Sequence, residues 1–165
     1  MLRLRPYKRS DAACIITWVQ DWDAHSAWCA DLLSWPLDQA AFDAYQAETD
    51  GKDDQWMMTA VDGAGRPVGF LTMKRADYGQ NSIHLATIII DADCRGQGLG
   101  VELMRLVVRY AREILGFSQV TLHVFDHNTP ARACYQRAGF RDVDFAPDSF
   151  RHGEQIWSCW TMAAE

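Results

Sequence analysis

No stretch of this chain approaches the roughly 18 consecutive apolar residues that a membrane-spanning helix needs. The basic residues of the opening MLRLRPYKRSD have no apolar segment behind them, so this start does not read as a secretory leader. The expectation is a cytoplasmic protein with no membrane partner. Positive charge is also short: 16 lysines and arginines stand against 22 aspartates and glutamates, giving a net charge of -6 and a pI near 5.3. Nucleic-acid binding calls for a basic face that neutralises phosphates, so no nucleic-acid partner is expected. The five cysteines (Cys14, Cys29, Cys94, Cys134 and Cys159) include no CxxC pair, and their number is odd. Neither a disulfide framework nor a zinc site fits; no metal is expected, and buried free thiols in a reducing compartment are. Repeats, low-complexity tracts and interdomain linkers are missing too.

What the chain has is a globular balance. It has 165 residues, 48% hydrophobic and 23% charged, enough for one domain over residues 1–165 and too few for two ordinary ones. Leu2-Arg3-Leu4-Arg5 alternates as a half-buried strand does. Ser10 or Asp11 is placed to cap a helix through Ala12, Ile15, Ile16 and Val19. The stretch from Trp18 to Tyr45 is rich in tryptophan, and Pro36 is expected to open a helix over Leu37 to Tyr45. Trp56 to Val61 and Pro67 to Lys74 read as strands joined by a turn at Asp62-Gly63-Ala64-Gly65. A second turn at 77–81 leads into a β-branched strand, Ile83 to Ile90. Leu99, Leu103, Leu106, Val107, Tyr110 and Ile114 mark one face of a helix. Val120 to Phe125 is a strand, Pro130 to Ala138 a helix, and two strands close the chain near Phe140 to Phe145 and Gln155 to Met162. The order predicts an α/β sandwich around a mixed sheet.

Arg95-Gly96-Gln97-Gly98-Leu99-Gly100 lies between the long strand and its helix. Glycines let the backbone come close to a ligand, and the helix start offers unpaired N–H groups and partial positive charge. Together they predict a phosphate or pyrophosphate site, with Arg95 as a cation at its rim. A Walker loop is excluded because no GxxxxGK precedes Ser or Thr. A dinucleotide fingerprint is disfavoured because Val101 stands at the third glycine and no carboxylate lies near Val120.

The loop instead follows the pattern Arg/Gln-x-x-Gly-x-Gly/Ala. A second signature follows it: Asn128-x-x-Ala131-x-x-Cys134-Tyr135-x-x-x-Gly139-Phe140. On these residues the chain resembles the GNAT superfamily of acetyl-CoA-dependent N-acetyltransferases, most strongly from Ile83 to Phe140. Ala92 departs from the proline common in the family.

The resemblance implies a mixed, mostly antiparallel central sheet with helices on both faces, and acetyl-CoA as co-substrate. It implies that Ile88, Ile89 and Ile90 pair with the pantetheine arm, and that the amides of Arg95, Gly96, Gln97, Gly98, Leu99 and Gly100 hold the pyrophosphate. Asn128 would bond the arm, and the small Ala131 would let it pass. Tyr135 matches the family's general acid. Two histidines are candidate bases. His84 falls where histone-acetyltransferase relatives carry a glutamate; His123 falls where ribosomal-protein N-terminal acetyltransferase relatives carry one. By the two-residue strand period, His84 is expected on the face of Ile88 and Ile90.

Trp22, His25 and Trp28 are expected to line the acceptor side, with Asp21 or Asp23 attracting an ammonium group. The acceptor is expected to be a small-molecule or peptide amine. Cys134 and Cys94 lack a His–Asp arrangement, so direct transfer in a ternary complex is favoured over a ping-pong route. A catalytically silent acyl-CoA-binding module stays open as the alternative. So does a homodimer, because Ile156 to Trp160 suits an interface strand as well as a core one.

Overall fold

A computed structural model describes all 165 residues. Seven strands form one sheet in the order β1-β2-β3-β4-β5-β7-β6. The strands are β1 (Arg3–Pro6), β2 (Trp56–Val61), β3 (Pro67–Asp77), β4 (Ser82–Ile90), β5 (Gln119–Phe125), β6 (Phe140–His152) and β7 (Gln155–Ala164). Only β4 and β5 run parallel; every other neighbouring pair is antiparallel. The helices are α1 (Ala12–Ile16), α2 (Trp22–Cys29), α3 (Gln39–Asp50), α4 (Leu99–Arg109) and α5 (Thr129–Arg137). No helix is long and apolar enough to cross a membrane.

Both faces of the sheet are covered, and adjacent residues show it. Met57 packs among α1–α3 with Ile15, Phe42 and Phe70, while Met58 packs on the other face with Leu71, Leu103 and Val107. Opposite sides of a pleated strand are thus both buried, as the near-continuous apolar runs of β2 and β3 require. Each fully buried Phe or Leu of these two cores contributes roughly 1.5–3 kcal/mol by leaving water.

Several boundaries differ from the sequence reading. Pro36 does not open a helix. Asp38 caps α3 by accepting the Ala41 N–H at 2.9 Å, and α3 runs on to Asp50. Asp21 caps α2 in the same way, accepting from Ala24 at 2.8 Å. The first helix is shorter than expected and ends at Ile16. β6 continues past Phe145 to His152. It lies at the sheet edge, and Pro147 falls in the register break between Ala146 and Phe150, where it has no β7 partner. The cysteines are all unpaired, but only Cys29 is buried; the other four are half-buried.

The feature that most shapes the site is a β-bulge in β4. Phe70 pairs with Ile89 and Thr72 with Ala86, so two steps on β3 oppose three on β4. Thr87 takes up the extra residue at φ 50°. Its hydroxyl lies 2.8 Å from that of Thr72, which lies 2.8 Å from the Tyr45 hydroxyl of α3. The bulge resets the alternation. Ile83 and Leu85 before it, and Ile88 and Ile90 after it, all face α4 and α5, whereas Ile89 faces α1–α3. His84 therefore lies on the face opposite Ile88 and Ile90, which corrects the expectation from an unbroken two-residue period.

Candidate active site

The two parallel strands part company. β4 pairs with β5 from Ser82↔Gln119 to Leu85↔Leu122 and no further, although β4 continues to Ile90 and β5 to Phe125. The opening leaves backbone donors and acceptors between Ala86 and Ile90 with no strand partner on that side. An extended ligand with amide groups can fill such an edge as an added strand does.

The glycine loop begins where β4 ends. Gly96 and Gly98 stand at φ 75° and 82°, and Gly98 is the residue that enters α4. A side chain at such angles costs roughly 1–2 kcal/mol. Gly100 is needed for a different reason: a β-carbon there would lie 2.9 Å from Cys134 Sγ on α5. Leu99 anchors α4 in the core, and exposed Gln97 donates to the Asp93 carbonyl at 3.2 Å. Arg95 is held rather than free. Its guanidinium donates to the Ile90 carbonyl at 3.3 Å and to the Trp18 carbonyl at 3.0 Å, tying the loop to β4 and to the segment after α1.

Across the opening, Asn128 precedes α5, and its side chain makes no cap bond. Ala131 is half-buried on the first turn of α5. Tyr135 is buried on the α4–α5 face beside Phe140, with ring centroids 6.2 Å apart. Burial, and then its neighbour Cys134, raise its pKa, so it is a protonated phenol. The sealed side-chain polar atoms without partners are Tyr7 Oη, Trp28 Nε1 and His152 Nδ1. The Tyr135 hydroxyl is not among them, and no protein group bonds it, so it reaches solvent.

The histidines occupy the opposite face. His84 is buried; its Nδ1 lies 2.9 Å from Thr121 Oγ1, and its ring lies 4.4 Å from that of His123. Burial, then His123, Arg75 and Lys74, push the His84 pKa down to about 3. Burial, then the same two cations, also lower that of His123. Both rings are neutral at pH 7. His123 is the exposed member of the pair and lies just past the last β4–β5 rung.

The three aromatic residues of the acceptor side separate. His25 is fully buried, with centroids 5.1 Å from Trp35 and 6.0 Å from Trp28, and Trp28 packs against Phe42 and Phe70. These two belong to the packing of the helical layer. Trp22 is exposed and lies 3.9 Å from the ring of His152. His152 Nε2 is 2.6 Å from Asp23 Oδ1, and on its other side the ring stacks on Trp157 at 4.4 Å. His152 and Trp157 were not among the expected site residues. They meet only through the β6–β7 hairpin, and nothing in their local sequence marks them.

Known proteins share the family and the fold of this chain. Residues 18–140 match the profile of the acetyltransferase (GNAT) family. An uncharacterized N-acetyltransferase of Methanocaldococcus jannaschii is 31% identical over 90 residues, which cover 54% of this chain and 56% of that protein. A mycothiol acetyltransferase of Saccharomonospora viridis is 30% identical over 136 residues, 76% of this chain and 44% of that protein. The chain thus spans about half the length of these curated relatives. The crystal structure of spermidine N-acetyltransferase from Vibrio cholerae in complex with CoA and spermine superposes with a TM-score of 0.84. It is 19% identical, and the match covers 98% of this chain and 94% of that one.

Proposed function

The chain belongs to the GNAT acetyltransferase family, and from that premise we propose that it transfers an acetyl group from acetyl-CoA to a primary amine by direct attack in a ternary complex. The observation that carries the reading is the opening between β4 and β5, with a candidate acid on one face of the sheet and a candidate base on the other. In this reading the side of β4 at Ile88, Ile89 and Ile90 that has no β5 partner takes the pantetheine arm. The amides from Arg95 to Gly100 take the pyrophosphate, and Asn128 and Ala131 border the arm's path.

The proton steps follow from the two environments. His123, neutral and exposed, accepts the proton that the ammonium form of the acceptor must lose. The amine nitrogen then forms a C–N bond to the thioester carbonyl carbon, the C–S bond breaks, and the nitrogen releases its second proton to solvent. Tyr135, kept protonated by burial, gives its phenolic proton to the departing thiolate. Solvent takes the proton from His123 and returns one to Tyr135. The products are an amide and free CoA. Burial raises the Cys134 thiol pKa and keeps it protonated, which suits direct transfer better than an acyl-cysteine route. Free thiols throughout suit work in a reducing cytoplasm.

The test is mass spectrometry of an amine panel incubated with protein and acetyl-CoA. A product heavier by one acetyl group, absent without protein, supports the reading. Saturable acetyl-CoA binding with no acetylated product from any amine would favour a silent acyl-CoA-binding module.

A further inference from the structure

A cleft of about 440 Å³ opens where the end of β5 meets β7 and the start of α2; Asp23, Asp126, His127, Gln155, Trp157 and Ser158 line it. No lysine or arginine does. The two carboxylates come from distant segments, and each is oriented from its protein side by one oxygen. Asp126 Oδ1 accepts from Trp160 Nε1 at 2.7 Å, and Asp23 Oδ1 meets His152 Nε2 at 2.6 Å. The second oxygen of each carboxylate has no protein partner. His152 itself is buried, clasped between Trp22 and Trp157, and its Nδ1 is unpartnered. The clasp fixes Asp23 against the hairpin and holds the Trp157 indole at the cleft wall.

The cleft lies in line with the candidate base. His123 pairs with Thr161 and Phe125 with Cys159 on β7, and the Phe125 ring lies 5.0 Å from that of Trp157. One face of the sheet therefore leads from His123 past Phe125 to the cleft. Asp126 is three residues beyond His123 along the chain, on the order of 10 Å at the rise of a strand.

We propose that this cleft anchors a second cationic centre of the acceptor, so that the preferred substrate is an organic dication such as a diamine. One ammonium sits between Asp23 and Asp126 against the Trp157 face, and the other amine reaches His123. The inference rests on the acetyl-transfer reading above and adds the class of acceptor to it. Two carboxylates and an aromatic face suit an ammonium group. A divalent metal is a poorer occupant, because no group of three or more His, Cys, Asp or Glu residues is placed to hold one.

The test compares 1,7-diaminoheptane with heptylamine, which lacks the second charge. Steady-state kinetics of the wild type should give the diamine a kcat/KM advantage of about tenfold or more, larger at low salt. Asp126→Asn can still accept from Trp160, and Asp23→Asn from His152. Each should raise KM for the diamine with kcat retained, moving the ratio toward one. Equal use of both amines by the wild type, or a ratio unmoved in both folded variants, overturns the inference and leaves acetyl transfer standing. Should neither amine be acetylated, the acetyl-transfer reading fails for them. Calorimetry of 1,7-diaminoheptane alone then decides the cleft: saturable binding weakened by Asp126→Asn supports it, and no binding overturns it.

Discussion

The imidazoles of His84 and His123 meet edge to face, 4.4 Å apart, at the point where β4 and β5 separate. Only His123 is open to solvent, and its pKa is lowered by burial and by Arg75 and Lys74. If His123 takes the amine proton, kcat/KM includes an acid limb with a midpoint below the ordinary histidine value of about 6.5. His123→Gln should remove that limb and lower kcat by about 100-fold or more at pH 7. A variant with the wild-type profile and rate would assign the proton to another group.

His84 makes a separate prediction about stability. Its folded pKa of about 3 lies below the unfolded value of about 6.5. The unfolded chain therefore takes up the proton first as pH falls. The stability that neutral His84 contributes is fully present above about pH 6.5 and declines as pH drops toward 3. Between pH 7 and pH 4.5 the wild type should lose about 2–3 kcal/mol more than His84→Gln, which cannot titrate. Urea midpoints at the two pH values measure this, and equal losses in the two proteins would contradict it.

Tyr135 combines a buried ring with a hydroxyl that reaches solvent. Tyr135→Phe keeps the packing against Phe140 and removes only the proton. We expect kcat to fall by roughly 10²- to 10⁴-fold, with acetyl-CoA affinity and thermal midpoint nearly unchanged. Turnover at the wild-type rate would leave Tyr135 as a core residue.

Gly100 of α4 lies directly against the Cys134 sulfur of α5. The β-carbon of Gly100→Ala would stand 2.9 Å from the sulfur, so one of the two must move. The substitution should cost about 1–3 kcal/mol. Combining it with Cys134→Ala should recover most of that loss, a coupling that a double-mutant cycle reads directly. Additive effects would place the strain elsewhere.

Much of the fold was legible because period and turn chemistry agree. Met57 and Met58 sit in an uninterrupted apolar strand, and Asp62 closes the following turn by accepting from the Ala64 and Arg66 amides at 3.0 Å each. The apolar stripe of α4 and the spacing of Gly98, Gly100 and Tyr135 likewise point to the cofactor side. The bulge was not legible. No glycine or proline marks it, and a β-branched threonine holds the unusual φ because Thr72 and Tyr45, remote in sequence, bond its hydroxyl in a chain. That one extra residue is why His84 faces away from Ile88. α2 was obscured because its buried positions are His25, Ser26 and Cys29, which blur an apolar stripe. The Asp23–His152 pair was beyond reach because only the long hairpin brings its members together.

The proposed acetyl-CoA site is the opening between β4 and β5 with the glycine loop at its end. Calorimetric titration of the purified protein with acetyl-CoA, with ATP and NAD in parallel, tests it most directly. The expected result is saturable one-to-one binding of acetyl-CoA that Gly98→Val weakens, and no binding of ATP or NAD. Absence of acetyl-CoA binding by the folded protein, or a preference for either nucleotide, would contradict it.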